Sequence, residues 1–346
     1  MRSFCIDTIP IDPPVALAPM EGVTDRAFRG VIRSLGGVGL TVTEFVSSEA
    51  LTRDVENAWR MAELDPGEHP VSIQIYGRDP DRMAQAARHC EALGADIVDI
   101  NLGCPSKRVT SGCAGSALMR EGALAHEIFD AVHGAISVPM TVKMRLGWDH
   151  DQYTAPEIAA DAVKVGAKMI AVHGRTKSDG YKNDSLWHEV RHVVDAVDVP
   201  VLVNGDIVDP ASARAALEAS GAAGVMVGRG VMADPWCLAR ISADLRGEPF
   251  VEPTLADRER LLFAYVDDLA RDGNGRRTLG KLKRVMGYFS KGLWGAGQLR
   301  RSLNSVREVS AARLLLRDFF AEARAREADQ RTLTAALAAH DEGAVA

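Results

Sequence analysis

The chain has 346 residues, 47% of them hydrophobic and 25% charged, with a formal net charge of −6. That is globular composition, long enough for one large domain and a small one, and the acidic balance argues against a generic nucleic-acid binder. No apolar run approaches ~20 residues, and the first twenty carry Asp7, Asp12 and prolines instead of a basic and then apolar stretch, so neither a membrane span nor a secretory signal is expected.

Eight strand-like runs follow in chain order: Val15–Pro19, Leu40–Phe45, Val71–Tyr76, Asp96–Asn101, Met140–Arg145, Lys168–His173, Val201–Asn204 and Gly224–Gly228. From the third onward, helical periods separate them: Asp79–Leu93, Ser116–Ile136, Glu157–Val165, Leu186–Val197 and Pro210–Ser220. The strands are apolar more than alternating, as in a parallel sheet buried on both faces. Eight such units predict an α/β fold, a (β/α)8 TIM barrel, over residues 1–246. A doubly wound sheet would want a G-x-G-x-x-G turn after a strand, and none is present. The two prolines of Gly247–Pro253 mark a linker at 247–254. Leu255–Arg271, Arg276–Leu293, Gln298–Val306 and Ala311–Arg326 then read as an all-helical C-terminal domain over 255–330, with a tail at 331–346 that frays at its end.

Charge is uneven along the chain. Residues 254–322 hold 14 Lys+Arg against 8 Asp+Glu, a local +6, so the remainder carries −12. Such a basic end is either a solvated helical face or a surface for a polyanion. The five cysteines (Cys5, Cys90, Cys104, Cys113 and Cys237) form no C-x-x-C pair, so no metal is expected, and a reducing cytoplasm is the simplest setting.

The expected strand tips all carry chemistry. They end in Pro19-Met20-Glu21, Glu44, Gln74, Asn101 with Cys104, Lys143 with Arg145, His173 with Arg175, Asn204-Gly205-Asp206, and Gly228-Arg229-Gly230. Polar residues ending apolar strands point into one mouth of a barrel. The glycine turns after strands seven and eight, with Arg229, suit a phosphate cup. A phosphate there, with Gln74 and Lys143 inside, points to a phosphorylated planar cofactor such as FMN. Gln would pair with the polar edge of the ring, and Lys would stabilise a reduced, anionic flavin. Singly, Gln74 reads as a satisfied strand residue, Gly228-Arg229-Gly230 as a turn and Lys143 as an ion-pair partner of Asp99 or Glu44. Their joint placement favours a site.

Ala18-Pro19-Met20-Glu21-Gly22-Val23-Thr24-Asp25, Asn101-Leu102-Gly103-Cys104-Pro105, Val172-His173-Gly174-Arg175-Thr176 and Asn204-Gly205-Asp206-Ile207 together resemble the tRNA-dihydrouridine synthase signature, and the resemblance covers nearly the whole chain. It implies an FMN barrel with a C-terminal helical domain that uses NADPH (or NADH) to reduce the C5–C6 bond of a uridine in tRNA. By position it implies FMN contacts from Pro19, Met20, Glu21, Gln74, Lys143, His173, Asn204, Gly205, Asp206, Gly228 and Arg229, and a catalytic Cys104. Where Glu21 stands, members often have Ala. The body is similar to the bacterial B-type, and Leu146-Gly147-Trp148-Asp149 is also similar to the C-type, so the modified tRNA position stays open. A monomer is expected.

The reaction explains why a thiol is wanted. Hydride delivered to C6 leaves negative charge on O4 and C5, and C5 then needs a proton. An ordinary cysteine titrates near ~8.5, so only about 3% is thiolate at neutral pH, which suits a general acid. Lys107 and Arg108, on an expected mobile loop 107–115, could lower it or could instead be phosphate contacts. Cys113 on that loop is a weaker candidate, and Cys90, on an apolar helical period, reads as core. Asn101 could hold the uracil edge. Arg175 and Arg145 could meet the substrate, a nucleotide flipped from its stack. Lys281, Lys283 and Arg284 head the basic residues for tRNA phosphates, with Arg276, Arg277, Lys291, Arg300 and Arg301. Lys281, Arg284 and Tyr288 share a helical face. Three rival readings are a flavin barrel acting on a free pyrimidine (dihydroorotate or dihydropyrimidine type), an RNA-binding protein on a degenerate barrel, and a flavin-free barrel lyase or isomerase. The basic helical appendage has no purpose in the first, and the intact row of polar tips argues against the second.

Overall fold

In a computed structural model of the chain, residues 3–271, 273–290 and 292–343 are described, with side chains described for all of these except Tyr288 and 330–343. The chain divides into two compact units, Met1–Phe250 and Val251–Ala346.

The first unit is a closed parallel barrel. Its strands are β1 (Val15–Leu17), β2 (Leu40–Val42), β3 (Val71–Tyr76), β4 (Ile97–Leu102), β5 (Met140–Arg145), β6 (Ile170–His173), β7 (Val201–Asn204) and β8 (Gly224–Val227). Each pairs with the next, and β8 returns to β1 with Val225 beside Val15. The strand expected over Leu40–Phe45 leaves the ladder after Val42 and re-enters as Val46–Ser47 beside β3. Between them the Thr43 hydroxyl accepts from the backbone N–H of Gln74 and donates to the Glu44 carbonyl, in place of regular pairing.

Sequence periodicity does not show what closes the barrel floor. An antiparallel hairpin, Phe4–Ile6 with Ile9–Ile11, sends Ile6 and Ile11 against Ala16, Leu40, Ile97, Ala171, Leu202 and Met226, all buried. Three-residue strands carry too few periods to be read. This apolar plug leaves the opposite, C-terminal ends of the strands as the open face.

Two of the crossover helices begin where side chains cap them. Asp79 accepts from the Arg82 N–H at the head of Pro80–Ala92, and Asp209 and Ser212 form a reciprocal capping box at Pro210–Ser220. The single helix expected over Ser116–Ile136 is two elements, a 3-10 turn Gly115–Arg120 and a helix Gly122–His133, broken at Glu121 (φ −119°, ψ 57°). The expected mobile loop 107–115 contains a short helix, Lys107–Thr110.

The second unit holds Leu255–Arg271, Gly275–Phe289, Ala296–Ser305 and Val309–Gly343. Leu262, Val266, Leu282, Met286, Leu316 and Phe320 are buried there. The last helix runs well past the expected end at Arg326, because no Gly or Pro interrupts the sequence before Gly343. Residues 331–343 of the expected tail are thus helical, and 344–346 lie outside the described residues. No helix among the described residues is long and apolar enough to cross a membrane.

Candidate functional site

Parallel register builds the mouth of the barrel. Gln74 lies beside Asp99, Asn101 beside Lys143, Arg145 beside His173, and His173 beside Asn204. With a side-chain period of two, Thr141, Lys143 and Arg145 share one face of β5, as Asp99 and Asn101 do on β4. The apolar residues between them, such as Ile100 and Met144, are fully buried.

Two cavities share this mouth. The smaller, about 260 Å³, is lined by Asn204, Gly205, Asp206 and Gly228. The larger, about 580 Å³, is lined by Glu21, Asn101, Cys104 and Arg145. Pro19, Met20, Lys143, His173, Tyr181 and Arg229 line both. Together they reach the size of a site for a cofactor plus one substrate group, where pockets run roughly 300–1,000 Å³.

A buried hydrogen-bond relay fixes the larger cavity. The Thr141 hydroxyl and the Gln74 Nε2 donate to the Asp99 carboxylate at 2.6 Å each. Asn101 Nδ2 donates to Gln74 Oε1 at 2.7 Å, and Asn101 Oδ1 accepts from the backbone N–H groups of Gly103 and Cys104 at 3.0 and 2.9 Å. The amide orientations follow from this pattern without ambiguity, and one N–H of Asn101 is left for a ligand. From the other side, the Cys104 carbonyl accepts from the Ser116 N–H and hydroxyl. Gly115 lies against the same residue at φ +59°, where a Cβ would come within 3.0 Å of that carbonyl, so the turn needs glycine.

The thiol of Cys104 is buried with Phe45, Val109 and Ala114. Burial pushes its pKa up, and the Glu21 charge pushes the same way. The Ser106 N–H, Arg145 and Arg108 oppose them and lose. The basic residues after the cysteine therefore do not make it a thiolate. Arg108 instead pairs with Glu21 at 2.7 Å. Arg145 holds the neighbouring wall, donating to the Gly103, Thr176 and Gly180 carbonyls.

The smaller cavity is built from charge. Asp206 accepts from Arg175 at 2.5 Å, from Arg229 at 2.9 Å and from the Ser185 N–H. Burial pushes this carboxyl up, but those donors and the two guanidinium charges hold it below the usual range. Gly205 stands at φ +113°, and a Cβ there would meet Ser185 Oγ at 2.1 Å and the His173 ring, so only glycine fits. His173 is held neutral, first by burial and then by the charges of Arg145, Lys143 and Arg175. Arg175 lies on its Nε2 at 3.1 Å, which puts the ring proton on Nδ1. Lys143 donates to Asn204 Oδ1 at 3.0 Å, and burial, aided by Arg145, lowers it to about 8.

Several expected residues lie elsewhere than the sequence places them. Gln74 lines neither cavity: it is fully buried with both ends of its amide committed, so it positions Asn101. Glu21 lines only the larger cavity, away from the phosphate cup. Arg175 is buried and bonded to Asp206, His173, Ser185 and the Asn183 carbonyl, which leaves it a brace and not a contact for an incoming phosphate. Cys113 is exposed at φ +53° and lines neither cavity.

In the second unit, Lys283 caps the helix Ala296–Ser305, donating to the Asn304 and Val306 carbonyls at 3.1 and 2.9 Å, so its charge is turned inward. Lys281 is half-buried and Arg284 exposed. The Tyr288 side chain and Lys291 lie outside the described residues.

Sequence reasoning missed Tyr181. It is 56% exposed, lines both cavities, and has the guanidinium carbons of Arg145 and Arg229 at 5.4 and 5.0 Å from its ring centroid. Its loop is organised by Asp179, which accepts from Thr176, His150 and Asn183. A loop tyrosine with no periodic context carries no signal in one sequence. Asp99, the buried end of the relay, entered the reading only as a possible partner of Lys143.

Residues 16–324 match the family model described as dihydrouridine synthase. Among curated proteins, a probable tRNA-dihydrouridine synthase of Rhodobacter capsulatus is 43% identical over 331 residues, covering 92% of this chain and 98% of its own. A probable tRNA-dihydrouridine synthase of Rickettsia prowazekii is 36% identical, covering 91% and 97%. The tRNA-dihydrouridine synthase B of Pseudomonas aeruginosa is 37% identical, covering 88% and 92%.

Proposed function

The chain belongs to the dihydrouridine synthase family and catalyses tRNA dihydrouridine synthesis, and from that premise we propose how its two cavities divide the reaction. The smaller cavity takes FMN. Arg229 and the backbone N–H groups around Gly205 and Gly228 would hold its phosphate, and Pro19, Met20, Lys143 and His173 would hold its ring. The residues fit that group on their own terms: a cation beside glycine turns at one end, and a buried lysine with a neutral imidazole at the other. The target uracil enters the larger cavity, beside Asn101 and Cys104.

When bound, the reduced flavin supplies the hydride that adds to C6 of the uracil. The protein's own residues handle the charge and the proton. Asn101 offers its remaining N–H to the base edge, and Lys143, mostly ammonium at neutral pH, stabilises negative charge where the two cavities meet. Cys104 gives its proton to C5, the thiolate left behind regains one from solvent, and the C5–C6 bond is saturated. NADPH (or NADH) is the reductant that restores the flavin between turnovers. Lys281 and Arg284 on the helical unit contact tRNA phosphates.

The observation that carries this reading is a buried thiol on the wall of a cavity that shares Lys143, His173 and Arg229 with an anion cup. The test is direct. Purified protein is expected to be yellow with bound FMN and, given NADPH and unmodified tRNA, to yield dihydrouridine on nucleoside analysis. Colourless protein unable to take up FMN, or turnover of free uracil or dihydroorotate without dihydrouridine in tRNA, would contradict it.

A further inference from the structure

We propose that a second cleft on the barrel rim, beside the C-terminal end of β3, binds the phosphodiester backbone of the RNA strand next to the target nucleotide. This rests on tRNA being the substrate. The cleft has a volume of about 520 Å³, and four arginines line it: Arg53, Arg78, Arg82 and Arg108. Only two acidic residues, Glu49 and Asp79, stand among them, leaving a local +2 on a chain whose net charge is −6.

The cations are available. Arg78 is exposed and has no hydrogen-bond or ion-pair partner among the described residues. Arg53 pairs only with Glu49, both more than half exposed, a solvent-screened pair that is easily exchanged for another anion. The Arg82 guanidinium lies 4.0 Å from the Asp79 carboxylate and donates to the neutral Thr52 hydroxyl at 3.0 Å, so its charge is only weakly paired. Arg108 is paired with Glu21, and the other three guanidinium groups around the depression, with so little to neutralise them, form a site for a multiply charged anion.

The position favours a polynucleotide. Val109 and Ala114 line this cleft and also pack against Cys104, so one layer of side chains separates it from the thiol. Arg108 sits on the same short helix and reaches across to Glu21 at the larger cavity. Tyr76, which ends β3, lines the cleft and packs edge-on against Phe45 of the catalytic cavity, with ring centroids 5.6 Å apart. A strand that delivers one base to Cys104 has flanking phosphates to place, and this is the adjoining basic depression. The contacts are to backbone, so they add affinity and register without reading sequence.

The test uses the full-length, flavin-loaded protein with Arg53→Gln and Arg78→Gln combined, both exposed and outside the relay. The Kd for unmodified tRNA is measured across a salt series, together with the rate and KM of flavin reduction by NADPH. The Kd is expected to rise about tenfold at low salt and the salt slope to fall by about one to two, with flavin reduction unchanged. The Arg53→Lys, Arg78→Lys variant is expected to recover most of the affinity, since charge suffices on a phosphate. An unchanged Kd and slope would overturn the proposal. So would a raised KM for NADPH with normal tRNA binding, which would assign the cleft to the nicotinamide phosphate, or a lysine variant as weak as the glutamine one. If the wild-type protein itself failed to bind tRNA, the substrate reading and not the cleft would be at fault.

Discussion

The two walls of the barrel mouth are built from opposite materials. On the β6–β8 side, charges face one another: Asp206 between Arg175 and Arg229, with Arg229 half exposed and open to an anion. On the β3–β5 side, neutral amides run in a buried chain from Asp99 through Gln74 and Asn101 to the backbone of Cys104. The charged wall is suited to capture a phosphate, because its cations gain a partner without losing Asp206. The neutral wall is suited to hold a thiol in place without ionising it, because nothing in the relay presents a cation to the sulfur. Lys143 stands where the walls meet and feels both.

Substitutions in each wall break or sharpen that contrast. The largest effect is expected from Cys104→Ala, which should lose about 10²–10⁴-fold in uridine reduction while FMN content and its reduction by NADPH are kept, as followed by single-turnover absorbance. Next comes Asn101→Ala, which releases the Gly103 and Cys104 N–H groups. Uridine reduction should fall by up to about 10²-fold through misplacement of the thiol, with flavin binding unaltered by titration. The charged wall should fail the other way: Arg229→Ala should weaken FMN binding about tenfold and leave the rate per bound flavin near normal. Equal loss of both properties in both variants would erase the distinction.

Lys143 gives a subtler test. Its folded value of about 8 lies below its ordinary 10.5, so between these the unfolded chain binds the extra proton and stability of the flavin-free protein rises with pH. Lys143→Met removes this penalty. Its stability advantage over wild type, on the order of a few kcal/mol near neutral pH, should shrink as pH climbs through that window in denaturant titrations. The smallest effect is expected far from the mouth. Lys283→Ala should cost the helical unit about 1 kcal/mol in thermal unfolding by uncapping Ala296–Ser305, with tRNA affinity little changed.

The barrel was legible because its signals are periodic. Apolar runs at Val71–Tyr76 and Met140–Arg145 correspond residue for residue to β3 and β5. The polar tips were legible for the same reason, since parallel register carries each of them to one end. What one sequence hides is which partner a polar group already has. Arg175, Lys283 and Gln74 look like ligand contacts as letters, and are committed inside the protein once neighbours 8 to 31 residues away arrive. Tyr181 and the floor hairpin were missed because an irregular loop and three-residue strands have no period to read.

The central claim is that Cys104 enters the reaction protonated. It is tested by the thiolate absorbance difference between wild type and Cys104→Ser, titrated in the flavin-free protein from about pH 5 to about pH 10. The expected result is no Cys104 thiolate at neutral pH and a titration midpoint above that of an ordinary cysteine. A thiolate already formed near pH 7 would mean a nucleophile stands at that position, and the proton for C5 would have to come from another group.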